Sequence, residues 1–265
     1  MLRILLLLCV STGLWAQTDF KIAAGGKTIE FREIDRLSIV GSAGSEMIVE
    51  GSEQSRNRDE RAAGLRKISA TGLRDNTGFG LSVTEEGGRI LVQQVGGDGK
   101  SITVRVPNSA TVKVEQTTHR GGGIEVSDFS GALDVSMMYH KARLKNVTGP
   151  TAVNTVYSDI IAVYDTPPTK DTRLHSSYSN VDVTLPAATK ADLRLSSGYG
   201  DMYTDFDIEV KPNMETTKVA ESGKKDEDCN CDAKEARGQL VGTINGGGPL
   251  LSLSATYSNL YIRKK

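Results

Sequence analysis

The stretch from 175 to 186, HSSYSNVDVTLP, joins a tyrosine, two small polar residues and a run in which apolar residues alternate. The same motif recurs as YHKARLKNV from Tyr139, YSDIIAVY from Tyr157, YSNVDVTLP from Tyr178, YGDMYTDF from Tyr199 and YSNLYIRKK from Tyr257. The tyrosines from 139 to 199 are separated by 18, 21 and 21 residues. Recurrence at a fixed period indicates a repeat architecture.

The length of the repeat restricts what one unit can contain. A strand with a packed crossover helix needs about 30 residues, whereas 18 to 21 residues hold two or three short strands joined by turns. Stacked units would place equivalent positions about 4.8 Å apart. The pattern therefore predicts an all-β fold with a parallel β-helix (β-solenoid) over 104–265. A β-sandwich or barrel, which also has short strands between frequent turns, is the alternative.

Each copy of the motif predicts a corner followed by a strand. Its tyrosine and its Asn or Asp are expected to stack on their equivalents and to form the turn. These structural repeat corners are Tyr157, Asp159, Tyr178, Asn180, Tyr199, Asp201, Tyr257 and Asn259. The apolar residues that follow are expected to point inward, with Ile160, Val181 and Met202 as neighbours on successive units.

The first half of the chain predicts a different arrangement of strands. Apolar residues alternate in segments such as TIEFREI, RILVQQV and SITVRVP, and such alternation is typical of half-buried strands. Gly87-Gly88 lies between two of these segments and indicates a hairpin. Residues 17–103 are therefore expected to form a more antiparallel β-strand region, with one short helix at about 57–67 and Asn57 as its N-cap.

The N-terminus has the pattern of an export signal. Residues 1–16 contain Arg3, an apolar run from Ile4 and small residues before Ala16-Gln17, which predicts a cleaved signal peptide. Its removal leaves 31 basic and 33 acidic residues. That balance argues against nucleic acid as a partner, because phosphate binding needs a clustered excess of Lys and Arg.

The segment 211–238 interrupts the repeat. It contains six basic and seven acidic residues and few apolar ones, a composition that predicts an exposed loop inserted between units. It also holds Cys229 and Cys231 as Cys-x-Cys. A possible disulfide is favoured for an exported chain. Inert thiols and a metal site remain open, although a zinc site normally needs two such pairs.

Residues capable of catalysis are few. The three histidines, His119, His140 and His175, form no His-x-His or HExxH pattern, and the latter two are expected at corners. The chain has no Gly-x-Ser-x-Gly elbow, and GGDGK at 96–100 is expected to be a turn. Acids that would suit polysaccharide cleavage are Asp128, Asp134, Asp159, Asp182 and Asp201. Asn replaces Asp at the corners of other copies, which favours a turn role. No catalytic residue, metal or cofactor is therefore predicted.

Several segments together carry a family resemblance. They are IVGSAGSEMIVEGS, GLRKISATG, DNTGFGLSV, ITVRVPNSATVKVE, SGYGDMYTD and ATYSNLYI, within residues 27–265. The chain resembles exported bacterial adhesin-like proteins of the β-strand-repeat type, which are related to the autotransporter-adhesin head domain. That resemblance implies a right-handed β-helix and a location in the cell envelope or at the surface. It implies no reaction.

Two functional classes follow from these features. The first is a non-enzymatic exported scaffold whose β-solenoid faces bind a protein or glycan of the periplasm, outer membrane surface or exterior. The second is a polysaccharide-active enzyme on a β-helix. Trp15 is the only tryptophan and lies in the predicted signal, which removes the strongest sugar-stacking residue. Whether the repeat tyrosines face outward or are buried between units is expected to discriminate between the classes.

Overall fold

The computed structural model describes residues 19–50, 61, 65, 68–96, 101–211 and 239–265, and in these the fold is all-β without an α-helix. The first ten strands are β1 (Asp19–Ala23), β2 (Thr28–Arg32), β3 (Arg36–Ser42), β4 (Glu46–Glu50), β5 (Leu81–Glu86), β6 (Arg89–Gln94), β7 (Ser101–Pro107), β8 (Thr111–Gln116), β9 (Ile124–Ser127) and β10 (Ala132–Met137). The others are β11 (Ala142–Lys145), β12 (Thr151–Thr155), β13 (Ile160–Val163), β14 (Thr172–Ser176), β15 (Val181–Leu185), β16 (Ala191–Ser197), β17 (Met202–Thr204), β18 (Glu209–Val210), β19 (Gln239–Ile244), β20 (Leu250–Ala255) and β21 (Leu260–Lys264).

The strands form two large mixed sheets. Sheet 1 has ten strands in the order β1-β4-β7-β3-β9-β11-β13-β15-β21-β17. Sheet 2 has eleven, in the order β18-β19-β16-β20-β14-β12-β10-β8-β2-β6-β5. From β8 to β17, successive strands alternate between sheet 2 and sheet 1. Inward side chains of both sheets pack into one hydrophobic core, as the alternating burial along each strand requires.

The central strands pair in parallel and in register. Ile160 lies opposite Val181 between β13 and β15, and both side chains are fully buried. In sheet 2, Val153 lies opposite Leu174 in the same manner. The predicted parallel pairing of the segments after Tyr157 and Tyr178 is therefore confirmed.

The order of the last units differs from the prediction. Val181 does not lie beside Met202, because β21 is inserted between β15 and β17 and places Leu260 between them. In sheet 2, β20 is inserted between β14 and β16 in the same way. The C-terminal copy has the same sequence motif as its neighbours, so its strand pairs in the same register with the strands on both of its sides. Sequence order alone did not indicate which neighbours it would take.

Antiparallel pairs occur at both ends of the sheets. In the N-terminal part, β5 and β6 form the predicted hairpin, and both of its turn glycines have positive φ, 57° at Gly87 and 77° at Gly88. There, β1 with β4 and β4 with β7 are also antiparallel, but β2 and β3 pair in parallel with β8 and β9 of the repeat. Near the C-terminus, β19 pairs antiparallel with β16 and β18, which the repeat did not predict.

Some predicted features lie outside the described residues. These are the signal segment 1–16, most of the helix predicted at 57–67, residues 97–100 of GGDGK, and 212–238 with Cys229 and Cys231. Within the described part of the chain, no helix has the length and apolar character needed to cross a membrane.

Candidate functional site

Five exposed tyrosines form one continuous row, which we call the tyrosine row. In spatial order they are Tyr139, Tyr157, Tyr178, Tyr257 and Tyr199, with 44 to 59% of each residue exposed. Each lies two residues after a strand of sheet 2. Backbone hydrogen bonds fix the row: the N–H of Tyr178 donates to the carbonyl of Val156 at 2.8 Å, and Tyr157, Tyr257 and Tyr199 make the equivalent bond.

The rings of the tyrosine row stack face to face. Neighbouring centroids are 4.8 to 5.4 Å apart and neighbouring ring planes differ by 3 to 17°. His119 lies edge-on to Tyr139 at 6.4 Å, at one end of the row. The rings are thus exposed, but neighbours cover the faces of the three inner rings. What the inner tyrosines offer to a ligand is a line of ring edges and hydroxyl groups.

The hydroxyl groups of this row differ from those of nearby tyrosines. Among the described residues, none of the five makes a hydrogen bond. By contrast, the hydroxyl of Tyr203 donates to Asp201 at 3.2 Å, which raises the pKa of Tyr203. The hydroxyl of Tyr261 accepts from Asn259 at 3.1 Å. The tyrosine row therefore keeps its hydrogen-bonding capacity for solvent or a ligand.

A second row, the Asx row, lies two residues beyond the tyrosines. In spatial order it contains Asp159, Asn180, Asn259 and Asp201. Asp159 Oδ1 accepts the backbone N–H of Asn180 at 3.3 Å, Asn180 Oδ1 that of Asn259 at 3.2 Å, and Asn259 Oδ1 that of Asp201 at 2.8 Å. The structure thus places these side chains as links between adjacent corners.

A third row lies on the outer face of sheet 2, three residues before each tyrosine. This polar row is Ser136, Asn154, His175, Ser254 and Ser196, paired in register along the sheet. His175 lies 3.4 Å from the Ser177 hydroxyl, and the other four side chains make no hydrogen bond within the described structure. Sequence reasoning missed this row, although a polar residue at a constant distance before each tyrosine was a usable signal.

The histidines take different places. His140 contacts the carbonyl of Arg120 at 2.9 Å, at a corner as expected. His175 belongs to β14 and the polar row, so its predicted corner position was wrong. The alternation of the strand places it on the outer face, because Leu174 and Ser176 on either side of it are buried.

The candidate acids are dispersed. Asp182 forms two 3.0 Å hydrogen bonds with Arg263, which raise the pKa of Arg263. Asp159 pairs with Lys141 at 2.9 Å. Asp128 accepts from Asn146 at 3.2 Å, and Asp134 lies on the other sheet from Asp182. In the part of the chain that the structure describes, no three His, Cys, Asp or Glu side chains are grouped as metal ligands.

Two surface depressions lie away from the tyrosine row. One is lined by residues that include Thr148, Pro167, Pro168 and Pro249. The other is lined by charged and polar side chains that include Arg36, Glu125 and Arg143. Neither lining contains a member of the tyrosine, Asx or polar rows.

Comparison with known proteins gave limited likeness. No family model and no curated protein matches the chain. A solved structure of a candidate cell adhesion protein from Clostridium sporogenes aligns with 93% of this chain and 99% of its own, with 8% sequence identity and a TM-score of 0.46.

Proposed function

We propose that this chain is a non-enzymatic, exported binding protein of the cell envelope or surface, in which a right-handed β-solenoid presents its outer face to a protein or glycan. The observation that carries the proposal is the tyrosine row. Five exposed aromatic side chains form one patch with unbonded hydroxyls, and a contiguous exposed aromatic patch is typical of an interaction site.

The architecture supports a binding scaffold. Strands β8 to β15 alternate between the two sheets and pair in parallel from one unit to the next, as the coils of a solenoid do. Parallel strands joined by a crossover are right-handed in about 98% of cases. The signal segment predicted at 1–16 supports export to the periplasm, outer membrane surface or exterior.

The placement of the acids supports a non-enzymatic role. A glycosidase needs two carboxyl groups that flank one scissile bond. Here Asp182 is held by Arg263, Asp159 by Lys141, and Asp134 lies on the other sheet. Each of the two paired carboxylates is neutralised by its own cation.

A binding screen tests the proposal. The purified mature chain is tested against cell-envelope fractions and a glycan array, beside an assay for released reducing sugar. We expect binding without sugar release. The variant Tyr157→Ser, Tyr178→Ser, Tyr257→Ser should lose binding, whereas Arg143→Ser, Lys145→Ser on the outer face of sheet 1 should keep it. Release of reducing sugar, or binding that survives loss of the tyrosines, would overturn the proposal.

A further inference from the structure

We infer that the tyrosine row and the polar row together bind a linear, neutral glycan whose chain runs along the rows, across the strands. The inference rests on the proposed binding function and names its ligand class. It draws on three observations: the pairing of the two rows, their chemistry and their spacing.

The two rows run side by side across the same five units. Each polar-row residue lies three positions before a tyrosine, so Asn154 precedes Tyr157 and His175 precedes Tyr178. The register of sheet 2 keeps Ser136, Asn154 and His175 directly opposite one another on adjacent strands. A ligand lying along the tyrosines therefore meets a second line of polar side chains at the same period.

The chemistry of the rows suits a neutral, hydroxyl-rich ligand. Five phenols, three serines and one asparagine donate and accept hydrogen bonds without charge, and His175 is the remaining member. The next line on the outer face of sheet 2 contains charges of both signs, Asp134, Arg173 and Arg194. A phosphate-rich or strongly acidic polymer needs a clustered excess of cations, and this line has only two arginines against one aspartate.

The orientation of the rings determines how a sugar is held. Because the faces of Tyr157, Tyr178 and Tyr257 are covered by neighbouring rings, a sugar cannot stack on them. It meets ring edges and hydroxyls. Hydrogen bonds between phenol and sugar hydroxyls therefore dominate the contact, and each is individually weak in water. Useful affinity then requires several sugars bound at once.

The spacing distinguishes a glycan from a peptide. Tyrosine centroids repeat at 4.8 to 5.4 Å. An extended peptide advances about 3.3 Å per residue, so like-facing side chains repeat at about 6.6 Å and fall out of phase with the row. One pyranose in an extended β-1,4-linked chain has a length close to the tyrosine spacing. Each tyrosine can then face one sugar. Because neighbouring sugars in such a chain are flipped relative to each other, equivalent hydroxyls recur opposite every second tyrosine.

The test uses soluble β-1,4-linked neutral oligosaccharides, glucose and N-acetylglucosamine series, from disaccharide to octasaccharide. Calorimetric titration of the mature chain should show that Kd falls with each added sugar up to about the pentasaccharide, because the row has five tyrosines, and changes little beyond it. Tyr178→Phe keeps the ring stack and removes the central hydroxyl. It should weaken hexasaccharide binding roughly three- to tenfold.

The matched control is Tyr203→Phe, which removes an exposed hydroxyl outside the row and should leave Kd unchanged. Thermal unfolding of each variant checks that the fold is retained. Failure of both oligosaccharide series to bind, a Kd that does not depend on length, or equal effects of the two variants would overturn the inference. If envelope fractions still bind through the tyrosines in that case, the proposed function stands and the ligand is of another class.

Discussion

The Asx row and the tyrosine row lie two residues apart at the same corner and recur with the same period, yet the fold uses them in opposite ways. Asn180 is engaged on both sides, with its Oδ1 accepting from the backbone of Asn259 and its own N–H donating to Asp159. Tyr178 is half exposed and its hydroxyl is unbonded in the described structure. Recurrence in the sequence therefore indicates only that residues share a position in the unit. The side-chain contacts show which row holds the fold together and which row can bind a ligand.

A buried tyrosine, Tyr164, contrasts with the exposed tyrosine row, and we expect the largest effect on stability, a dependence on pH, at this residue. This tyrosine is fully buried, and burial raises its pKa to about 12. The nearby hydroxyl of Thr172 opposes that rise, although neither hydroxyl has a well-formed hydrogen bond in the described residues. Because the pKa of the folded state is the higher one, the protonated form stabilises the fold. That contribution is complete below pH 10 and is lost as the pH rises toward 12.

Denaturant unfolding from pH 9 to pH 12 measures this effect. The native chain should lose roughly 2 to 3 kcal/mol more than Tyr164→Phe over the upper part of the range. At neutral pH Tyr164→Phe should be close to neutral, since it removes a buried hydroxyl without a well-formed hydrogen bond. Tyr178→Phe, on the exposed row, should keep the pH dependence of the native chain. Parallel curves for the native chain and Tyr164→Phe would contradict the assignment.

Truncation of the inward row should have the next largest effect. Val181 is fully buried between Ile160 and Leu260. Val181→Ala leaves a cavity there and should lower the free energy of unfolding by about 2 kcal/mol. Its sequence neighbour Asp182 points outward, and its exposed ion pair with Arg263 should make Asp182→Ala cost less than about 1 kcal/mol. Urea unfolding compares the two, and equal losses would show that the alternation of the strand has been misassigned.

Replacing Gly200 with serine tests whether this copy of the repeated motif tolerates the residue found in other copies. Three of the other copies have Ser158, Ser179 and Ser258 at this position, and the copy of Tyr139 has His140. In the unit of Tyr199 a Cβ would lie well inside contact distance of the backbone carbonyl of Ser258. Gly200→Ser should therefore lower the melting temperature and cost about 1.5 kcal/mol by overpacking. A neutral or stabilising result would mean that this corner relaxes to match its neighbours.

Loss of one link of the Asx row should have a smaller effect. Asn180→Ala removes the acceptor for the Ser258 hydroxyl at 2.6 Å and for the N–H of Asn259. We expect a loss of about 1 kcal/mol in chemical unfolding. Asn180→Asp keeps an oxygen that can accept both hydrogen bonds, and Asp occurs at this position in two other copies, so it should cost less. Equal costs for Ala and Asp would show that the side-chain oxygen does not link the corners.

A substitution in the exposed tyrosine row should have the smallest effect on the free energy of unfolding. Tyr178→Phe keeps the stack between Tyr157 and Tyr257 and removes only an unbonded hydroxyl. Its free energy of unfolding should stay within about 0.5 kcal/mol of the native value. A loss comparable to that of Asn180→Ala would erase the distinction between the two rows and assign the tyrosines a mainly structural role.

The sequence by itself determined the all-β class, the period, the stacking of the corners and the hairpin at Gly87-Gly88. These follow from local chemistry. The alternation of apolar residues sets which face of a strand is buried, a positive φ favours glycine, and copies of one motif take equivalent positions in successive units. Tertiary structure decided that Leu260 lies between Val181 and Met202, because units with the same register are interchangeable until their edges pair. It also decided that the stacked tyrosines remain exposed and that a polar row accompanies them, since both depend on neighbours from units 18 to 79 residues apart in the chain.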